Sequence, residues 1–222
     1  MPEVTDENLI LCQNSNLTLD ATISGMTYLW LTSETTKTIN ISSPGNYEVA
    51  ITNSFSCTST KKIIVIEHEI PEIMSVKVEE TNVEIIPKNQ QSYFEYSIDG
   101  LNFQISPLFL NAPGGLQTAS VREVNNCGID TKEFVILLAP PFFTPNNDSY
   151  NDFWIVKGMS FYPNAELRIF DRYGKLLKEL RPTSLGWDGT FNGHQLPASD
   201  YWYVFKSDSN SPEKRGHFTL KR

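Results

Sequence analysis

The residues with the clearest capacity for chemistry lie close together near residue 150. Asn146, Asp148, Asn151 and Asp152 place several amide and carboxylate oxygens within seven positions. Hard oxygens of this kind are the ligands that calcium prefers, and the spacing is similar to that of calcium-binding loops. No glutamate follows at the position from which an EF-hand ligates the ion with both oxygens. These four residues are therefore a candidate calcium site, and the alternative is a network of Asx turns that shapes the loop.

The common signatures of enzymes are missing from the sequence. It contains no Gly-x-Ser-x-Gly, no His-Glu-x-x-His and no phosphate-binding glycine loop. Ser184, Asp188 and His194 have the residue types of a hydrolase triad, but a triad is defined by geometry, and turn chemistry explains all three residues. We therefore expect a protein that is not an enzyme and that has no cofactor other than the candidate calcium.

Composition and charge narrow the class of protein further. Hydrophobic residues make up 40% and charged residues 20% of the 222 residues, as in ordinary globular proteins. Residues 1–139 contain 7 basic and 17 acidic side chains, whereas residues 140–222 contain 11 and 9. The acidic first part would repel a phosphate backbone, so we expect no nucleic-acid partner. No apolar run approaches the ~20 residues of a membrane-spanning helix, so we predict no transmembrane segment.

The elements that must position these residues are β-strands. Short runs rich in Val, Ile, Thr, Tyr and Phe alternate between apolar and polar positions, and clusters of Gly, Pro, Asn, Asp and Ser separate them. No long stretch has the period of an amphipathic helix. Changes in composition predict domains over residues 1–67, 68–139 and 140–222. The predicted fold class is all-β, with small β-sandwich domains in tandem.

The first domain resembles bacterial immunoglobulin-like modules. The resemblance rests on an early Cys, a central Trp, a Gly-x-Tyr-x-Val strand and a late Cys, which here are Cys12, Trp30, residues 45–49 and Cys57. It implies two packed sheets joined by a Cys12–Cys57 disulfide, with Trp30 beside the bond. Such a bond would require an oxidising compartment, and it would leave Cys127 unpaired. The alternative is that all three cysteines are buried and reduced.

The second domain is similar to repeat modules of long surface adhesins of Bacteroidetes. The similarity rests on Tyr-Ser-Ile-Asp-Gly at 96–100, two later phenylalanines, Val-Arg-Glu at 121–123 and Asn-Cys-Gly at 126–128. Asp99–Gly100 is a hairpin-turn signal. The first two domains are alike in length and in how turn-forming residues separate their strands, as expected of an array of small β-domains. We therefore predict a second immunoglobulin-like or adhesin-repeat domain.

The last domain contains 16 of the chain's 26 aromatic residues and four motifs in a fixed order. The motifs are Phe-Thr-Pro-Asn-Asn-Asp-Ser-Tyr-Asn-Asp-Phe-Trp at 143–154; Tyr-Pro-Asn at 162–164 with Ile-Phe-Asp-Arg-Tyr-Gly-Lys at 169–175; Gly-Trp-Asp-Gly-Thr at 186–190; and Tyr-Trp-Tyr-Val at 201–204 leading to Gly-His-Phe-Thr-Leu-Lys-Arg at 216–222. Together they resemble the type B C-terminal sorting domain of the Bacteroidetes type IX secretion system, also called the gliding motility-associated C-terminal domain. The family usually has glycine where this chain has Asn147 and Ser149.

This resemblance implies a function and a set of recognition residues. It implies that the last domain directs the chain through the type IX translocon to the cell surface, where a PorP/SprF-type outer-membrane protein is the partner for attachment. The candidate recognition residues are Phe143, Thr144, Pro145, Asn146, Asp148, Asn151, Asp152, Tyr173, Gly174, Trp187, Asp188, Gly189, Gly216, Phe218, Lys221 and Arg222.

Two strands of the last domain carry specific expectations. We expect the final strand to turn Phe218 and Leu220 inward and to leave Lys221–Arg222 open for recognition. In the strand 201–205, Tyr201, Tyr203 and Phe205 face one way while Trp202 and Val204 face the other. Because both sets are apolar, we expect both faces of this strand to be covered.

The preferred interpretation is a C-terminal piece of a secreted surface protein, such as a gliding adhesin, attached to the outer membrane. The N-terminus has no signal-peptide pattern, which favours an internal piece of a longer chain over a cytosolic protein. One alternative is a surface module that binds carbohydrate or protein, with the last domain as its anchor. Another is the tail of a secreted enzyme whose catalytic domain lies upstream.

Overall fold

The chain folds almost entirely as β-structure, which confirms the predicted class. The computed structural model describes residues 1–222 and contains nineteen strands and one short 3-10 turn. The chain divides into two compact units, one of residues 1–73, 87–95 and 121–130, the other of residues 74–86, 96–120 and 131–222. The predicted second domain contributes to both units, and the three domain boundaries stay predictions. No helix has the length and apolar character that crossing a bilayer requires.

The first unit contains a sandwich of two sheets. Its strands are β1 Glu7–Cys12, β2 Leu17–Asp20, β3 Thr27–Trp30, β4 Thr38–Ile41, β5 Gly45–Thr52 and β6 Thr58–His68. One sheet has the order β1-β6-β5-β3, and β2 pairs with β4 in the other. Apolar residues at alternate positions bury one face of each strand, for example Val49 and Ile51 in β5. The Trp30 ring is buried in this core, and its Nε1–H donates to the Thr36 carbonyl at 2.9 Å.

The prediction of a disulfide between Cys12 and Cys57 is wrong. Cys12 is bonded to Cys127, with the two Cα atoms 5.1 Å apart, and Cys57 is free and exposed. In the parallel pair of β1 and β6, Cys12 aligns with His68 at the end of β6, whereas Cys57 directly precedes the start of β6. A strand of eleven residues separates its two ends by about 33 Å at ~3.3 Å per residue. That distance is far beyond the ~7 Å between Cα atoms that a disulfide can bridge.

A polar cluster lies beside this disulfide in the same unit. His68 Nδ1 lies 2.7 Å from the buried carboxylate of Glu123, and the His68 ring stacks on Tyr93 at 3.8 Å. Burial by itself would raise the pKa of Glu123. The backbone N–H of Cys127 and the side chains of His68 and Asn125 nevertheless bond the carboxylate and hold its pKa below the ordinary value. The 121–130 segment is therefore fixed by both the disulfide and these hydrogen bonds.

The central strands form two three-stranded sheets. They are β7 Ile73–Glu79, β8 Asn82–Pro87, β9 Phe94–Ser97, β10 Leu108–Phe109, β11 Gly115–Glu123 and β12 Ile129–Ile136, in the orders β10-β8-β7 and β12-β11-β9. The predicted turn at Asp99–Gly100 is present. Asp99 Oδ1 accepts hydrogen bonds from the N–H groups of Asn102 and Leu101, and these bonds hold the pKa of Asp99 well below its usual range.

The C-terminal domain contains the last seven strands, all within the second unit. They are β13 Phe142–Phe143, β14 Glu166–Phe170, β15 Leu176–Leu180, β16 Thr190–Phe191, β17 His194–Gln195, β18 Ser199–Lys206 and β19 Lys214–Leu220, with the 3-10 turn at Met159–Phe161 between β13 and β14. Five of them form one sheet in the order β13-β19-β18-β14-β15, and β16 and β17 form a hairpin. β19 is not an edge strand over its full length, because β13 pairs with its last two residues, Thr219 and Leu220.

Candidate functional site in the C-terminal domain

An aromatic cluster occupies the centre of the C-terminal domain. Trp154 stacks on Phe218 with ring centroids 3.6 Å apart, and Trp187 makes an edge contact with Tyr201 at 4.9 Å. Phe143 lies 5.6 Å from Trp187. All five side chains are buried. Three of the four sequence motifs therefore contribute to this aromatic cluster, and the candidate recognition residues Phe143, Trp187 and Phe218 hold the domain together.

The two buried tryptophans also connect distant segments through hydrogen bonds. Trp154 Nε1–H donates to the Pro140 carbonyl and Trp187 Nε1–H to the Thr190 carbonyl, each at 2.8 Å. The backbones of Trp154 and Trp187 exchange N–H···O bonds at 2.8 and 2.9 Å. Because buried indole N–H groups need an acceptor, these bonds fix where the segments enter the core.

The candidate glycines serve packing or turn geometry. A Cβ atom on Gly189 would lie 2.6 Å from Leu220 Cδ1, and one on Gly216 would lie 2.8 Å from the Tyr203 ring. Neither position has room for a side chain. Gly174 has open space around it, but its φ of +79° in the β14–β15 turn is a conformation that favours glycine.

Ser184, Asp188 and His194, which have the residue types of a hydrolase triad, make separate local contacts. Ser184 Oγ accepts a hydrogen bond from the Arg181 N–H at 2.9 Å, and Asp188 Oδ1 accepts one from the Thr190 N–H at 3.1 Å. His194 lies exposed on β17. Turn chemistry therefore accounts for Ser184 and for Asp188, which is also one of the candidate recognition residues.

The loop at 146–152 is organised by its own carboxylates. Asp152 Oδ1 accepts hydrogen bonds from the N–H groups of Asn146 and Asn147 at 2.9 and 2.7 Å, and Oδ2 accepts one from Ser149 at 2.8 Å. The Asn146 side-chain amide donates to Asp148 Oδ2 at 2.8 Å, which lowers the pKa of Asp148. Asn146 Oδ1 and Asp148 Oδ1 also accept hydrogen bonds from the N–H groups two residues later, at 3.2 and 2.8 Å, which are Asx turns. Calcium binding by Asn146, Asp148, Asn151 and Asp152 stays a prediction, in which the ion competes with N–H donors for these oxygens.

The backbone of this loop explains the departures from the family pattern. Asn147, Ser149 and Asn151 have φ values of 62°, 69° and 54°. Glycine adopts this left-handed conformation without cost, and asparagine adopts it more readily than most other residues. The N–H of Thr144 closes the loop by donating to the Asn151 carbonyl at 2.9 Å, next to the half-buried Pro145.

The last two residues, Lys221 and Arg222, are exposed, but both contact the rest of the domain. Phe218 and Leu220 point inward as expected and are fully buried. Lys221 Nζ lies 4.0 Å above the centre of the Phe142 ring, and Arg222 Nε–H donates to the Leu196 carbonyl at 3.0 Å. Tyr173, at the tip of the β14–β15 turn, is 86% exposed. Among the candidate aromatics, Tyr173 is thus the side chain that can contact a partner directly.

Trp202 lies in a different environment from the one expected. Tyr201 and Phe205 are buried, but Trp202 on the opposite face of β18 is 42% exposed, so that face is not covered. The strand register places Leu176, Phe170, Trp202 and His217 side by side across β15, β14, β18 and β19. We call these four residues the Trp202 row. The sequence signal for an open face was β14, where Glu166 and Arg168 alternate with the inward Leu167 and Ile169.

The chain is thus almost entirely β-structure, and its C-terminal domain has an aromatic core. Residues 137–220 match the CHU_C family of type IX secretion signal domains. This part of the chain is a type IX secretion signal domain, as predicted, and it marks the C-terminal sorting region of a secreted protein. A signal of this kind implies export to the cell surface by the type IX machinery.

Several solved structures of multi-domain proteins are similar over nearly the whole chain. The N-terminal eight Ig domains of Down Syndrome Cell Adhesion Molecule isoform 1.30.30 match with a TM-score of 0.38 and 11% identity, over 97% of this chain and 36% of that one. The insect immune protein hemolin matches with a TM-score of 0.30 and 8% identity, over 98% of this chain and 75% of that one. SGBP-B of the Bacteroides ovatus mixed-linkage glucan utilization locus matches with a TM-score of 0.27 and 12% identity, over 97% of this chain and 66% of that one. This chain spans less than two thirds of the first. At these TM-scores the similarities carry no argument about function. No curated protein matches the chain.

Proposed function

We propose that the C-terminal domain is the signal by which this chain is exported through the type IX translocon and then attached to the outer membrane. The observation that carries the proposal is the family match of residues 137–220. It is supported by the structure of the domain, because five motif aromatics share a single buried core: Phe143, Trp154, Trp187, Tyr201 and Phe218. The signal would accordingly be a folded domain rather than a short linear segment.

We propose further that the residues before this domain belong to a non-enzymatic surface protein, such as a gliding adhesin. Their β-structure and net negative charge suit a soluble protein exposed at the surface. The Cys12–Cys127 disulfide supports export, since disulfides persist in oxidising compartments outside the cytosol. The partner for attachment would be a PorP/SprF-type outer-membrane protein.

Surface display in the bacterium that encodes the chain tests the proposal. The fraction of the intact chain that added protease removes from whole cells is measured in the parent strain and in a strain whose type IX translocon is inactivated. We expect display in the parent strain and periplasmic accumulation in the mutant strain. Equal display in both strains would rule out export by this route.

Two further strains separate the finer parts of the proposal. A chain that lacks residues 137–222 should accumulate inside the cell envelope, and its display at the parental level would show that the signal lies elsewhere. Deletion of the PorP/SprF-type protein should release the chain from the surface or retain it in the periplasm. Unchanged display in that strain would contradict this partner.

A further inference from the structure

The disulfide of this chain is not the one that loop-closure entropy favours. Cys12 and Cys57 lie 45 positions apart and Cys57 and Cys127 lie 70 apart, whereas the bonded pair, Cys12 and Cys127, is separated by 115. The cost of closing a loop grows as about (3/2)RT ln n, so the two shorter loops would close about four and about two times more often. An unstructured chain would therefore form the Cys12–Cys127 bond in only about one molecule in seven.

Accessibility of the thiols favours the same wrong partner. Cys57 is exposed in the folded chain, whereas Cys127 is buried. Thiol–disulfide exchange is faster at a cysteine that the oxidant can reach. Correct pairing therefore requires structure that brings Cys12 and Cys127 together before the bond forms.

A short series of contacts connects these two cysteines. Cys12 aligns with His68 in the parallel pairing of β1 and β6, and the Gln13 N–H donates to the His68 carbonyl at 2.9 Å. His68 Nδ1 lies 2.7 Å from Glu123 Oε1. Glu123 Oε2 accepts a hydrogen bond from the Cys127 N–H at 2.9 Å. His68 and Glu123 thus link the backbone at Cys12 to the backbone at Cys127 without using the disulfide.

The Glu123 carboxylate holds the segment that contains Cys127 in one conformation. This side chain is fully buried, and it also accepts hydrogen bonds from the backbone N–H and the side-chain amide of Asn125, at 2.7 and 2.9 Å. The His68 ring is fixed in turn by stacking on Tyr93 at 3.8 Å. A buried carboxylate is stable only where its hydrogen-bond partners surround it, so these contacts hold the backbone of Cys127 beside the end of β6.

We propose that Glu123, acting through His68, is a positioning residue that selects Cys127 rather than Cys57 as the partner of Cys12. The bond itself forms by exchange with a small disulfide oxidant. One cysteine thiolate attacks the oxidant and releases one thiol, and the second cysteine thiolate then displaces the other. Two cysteine thiols are thereby oxidised, the oxidant is reduced to two thiols, and the two cysteine protons end on those thiols. This role does not depend on the route by which the chain is exported.

Oxidative refolding of the full chain tests the proposal. The reduced chain is refolded in a glutathione redox buffer, free thiols are blocked, and digestion with trypsin without reduction gives the fraction of each pairing by mass spectrometry. Trypsin places the three cysteines on separate peptides, because Lys37, Lys61 and Arg122 lie between them. We expect the Cys12–Cys127 bond to predominate in the parent chain. In Glu123→Ala its fraction should fall by up to about sevenfold, towards the value of an unstructured chain.

Two further variants show whether the effect belongs to the Glu123 carboxylate. Glu67→Ala is the matched control, because Glu67 is an exposed glutamate next to His68 on β6, and it should pair as the parent does. Glu123→Gln retains one acceptor oxygen, so it should form the native bond more often than Glu123→Ala. Parental pairing in Glu123→Ala, an equal loss in Glu67→Ala, or no recovery in Glu123→Gln would each overturn the proposal.

A chain without Cys57 separates the selection of a partner from folding. Cys57→Ser leaves only the native pairing, so Glu123→Ala can be oxidised in this background and its thermal unfolding compared with that of Cys57→Ser alone. We expect the oxidised double variant to contain the Cys12–Cys127 bond and to unfold cooperatively. A double variant that stays unfolded after oxidation would show that Glu123 maintains the fold and does not select the partner, which would overturn the proposal.

Discussion

Removal of residues 218–222 should unfold the C-terminal domain rather than merely erase a recognition sequence. The truncation deletes Phe218 and Leu220, which are both fully buried. Truncating a buried Phe costs about 3–5 kcal/mol and a buried Leu about 2–5 kcal/mol, so the loss amounts to roughly 5–10 kcal/mol. A domain of ~80 residues has a free energy of unfolding of about 4–12 kcal/mol. The truncation therefore removes most or all of the domain's stability.

The assay for this prediction is thermal unfolding followed by tryptophan fluorescence, because Trp154 stacks directly on Phe218. The truncated chain should lack the unfolding transition that involves these tryptophans. The control is a chain that lacks only Lys221 and Arg222. It loses a cation–π contact and three hydrogen bonds to the carbonyls of Phe143, Leu196 and Gly189, worth about 2–5 kcal/mol together. A parental melting temperature in the chain without 218–222 would refute the reasoning. Loss of display in the folded control would assign recognition to the terminal basic residues.

Three further predictions follow from single contacts. Gly189→Ala should destabilise the domain by about 1–3 kcal/mol more than Gly193→Ala in urea unfolding, because both have φ near +78° but only Gly189 meets Leu220; equal losses would contradict the packing argument. Cys127→Ser should lower the free energy of unfolding of the first unit by up to about 5 kcal/mol, because the disulfide closes a loop of 115 residues. A reducing agent should have no additional effect on this variant. Asp152→Ala should lower the free energy of unfolding by about 1–3 kcal/mol, because three hydrogen bonds are lost. A melting temperature that rises with millimolar calcium in the parent but not in this variant would support the calcium site.

The features that could be predicted from the sequence are those fixed by residues near one another in the chain. Asp99 and Asp188 accept hydrogen bonds from N–H groups only two or three residues later. Turn chemistry of this range is visible in the sequence itself. Alternation likewise predicts that Phe218 and Leu220 share one face of β19, and because both are apolar that face is the buried one.

The features that could not be predicted depend on strand register and on what covers a sheet. The parallel alignment of β1 with β6 places Cys12 beside His68, and the contact of His68 with Glu123 brings in the segment that contains Cys127. No local pattern reveals either contact. Alternation correctly places Trp202 opposite Tyr201 on β18, but it does not say whether a second layer lies over each face. An apolar residue therefore cannot be called buried until the layer above it is known.

The burial of the motif aromatics limits how the domain can be recognised. Phe143, Trp187 and Phe218 define the family resemblance, yet their exposed fractions are 1%, 0% and 0%. A partner that binds the folded domain cannot contact these side chains, so they would act by maintaining the fold. Direct recognition of a folded domain must then use side chains that reach the surface, of which Trp202, Tyr173 and the terminal Arg222 are examples. Core substitutions should accordingly unfold the domain and thereby abolish surface display. Surface substitutions should abolish display while the domain is still folded.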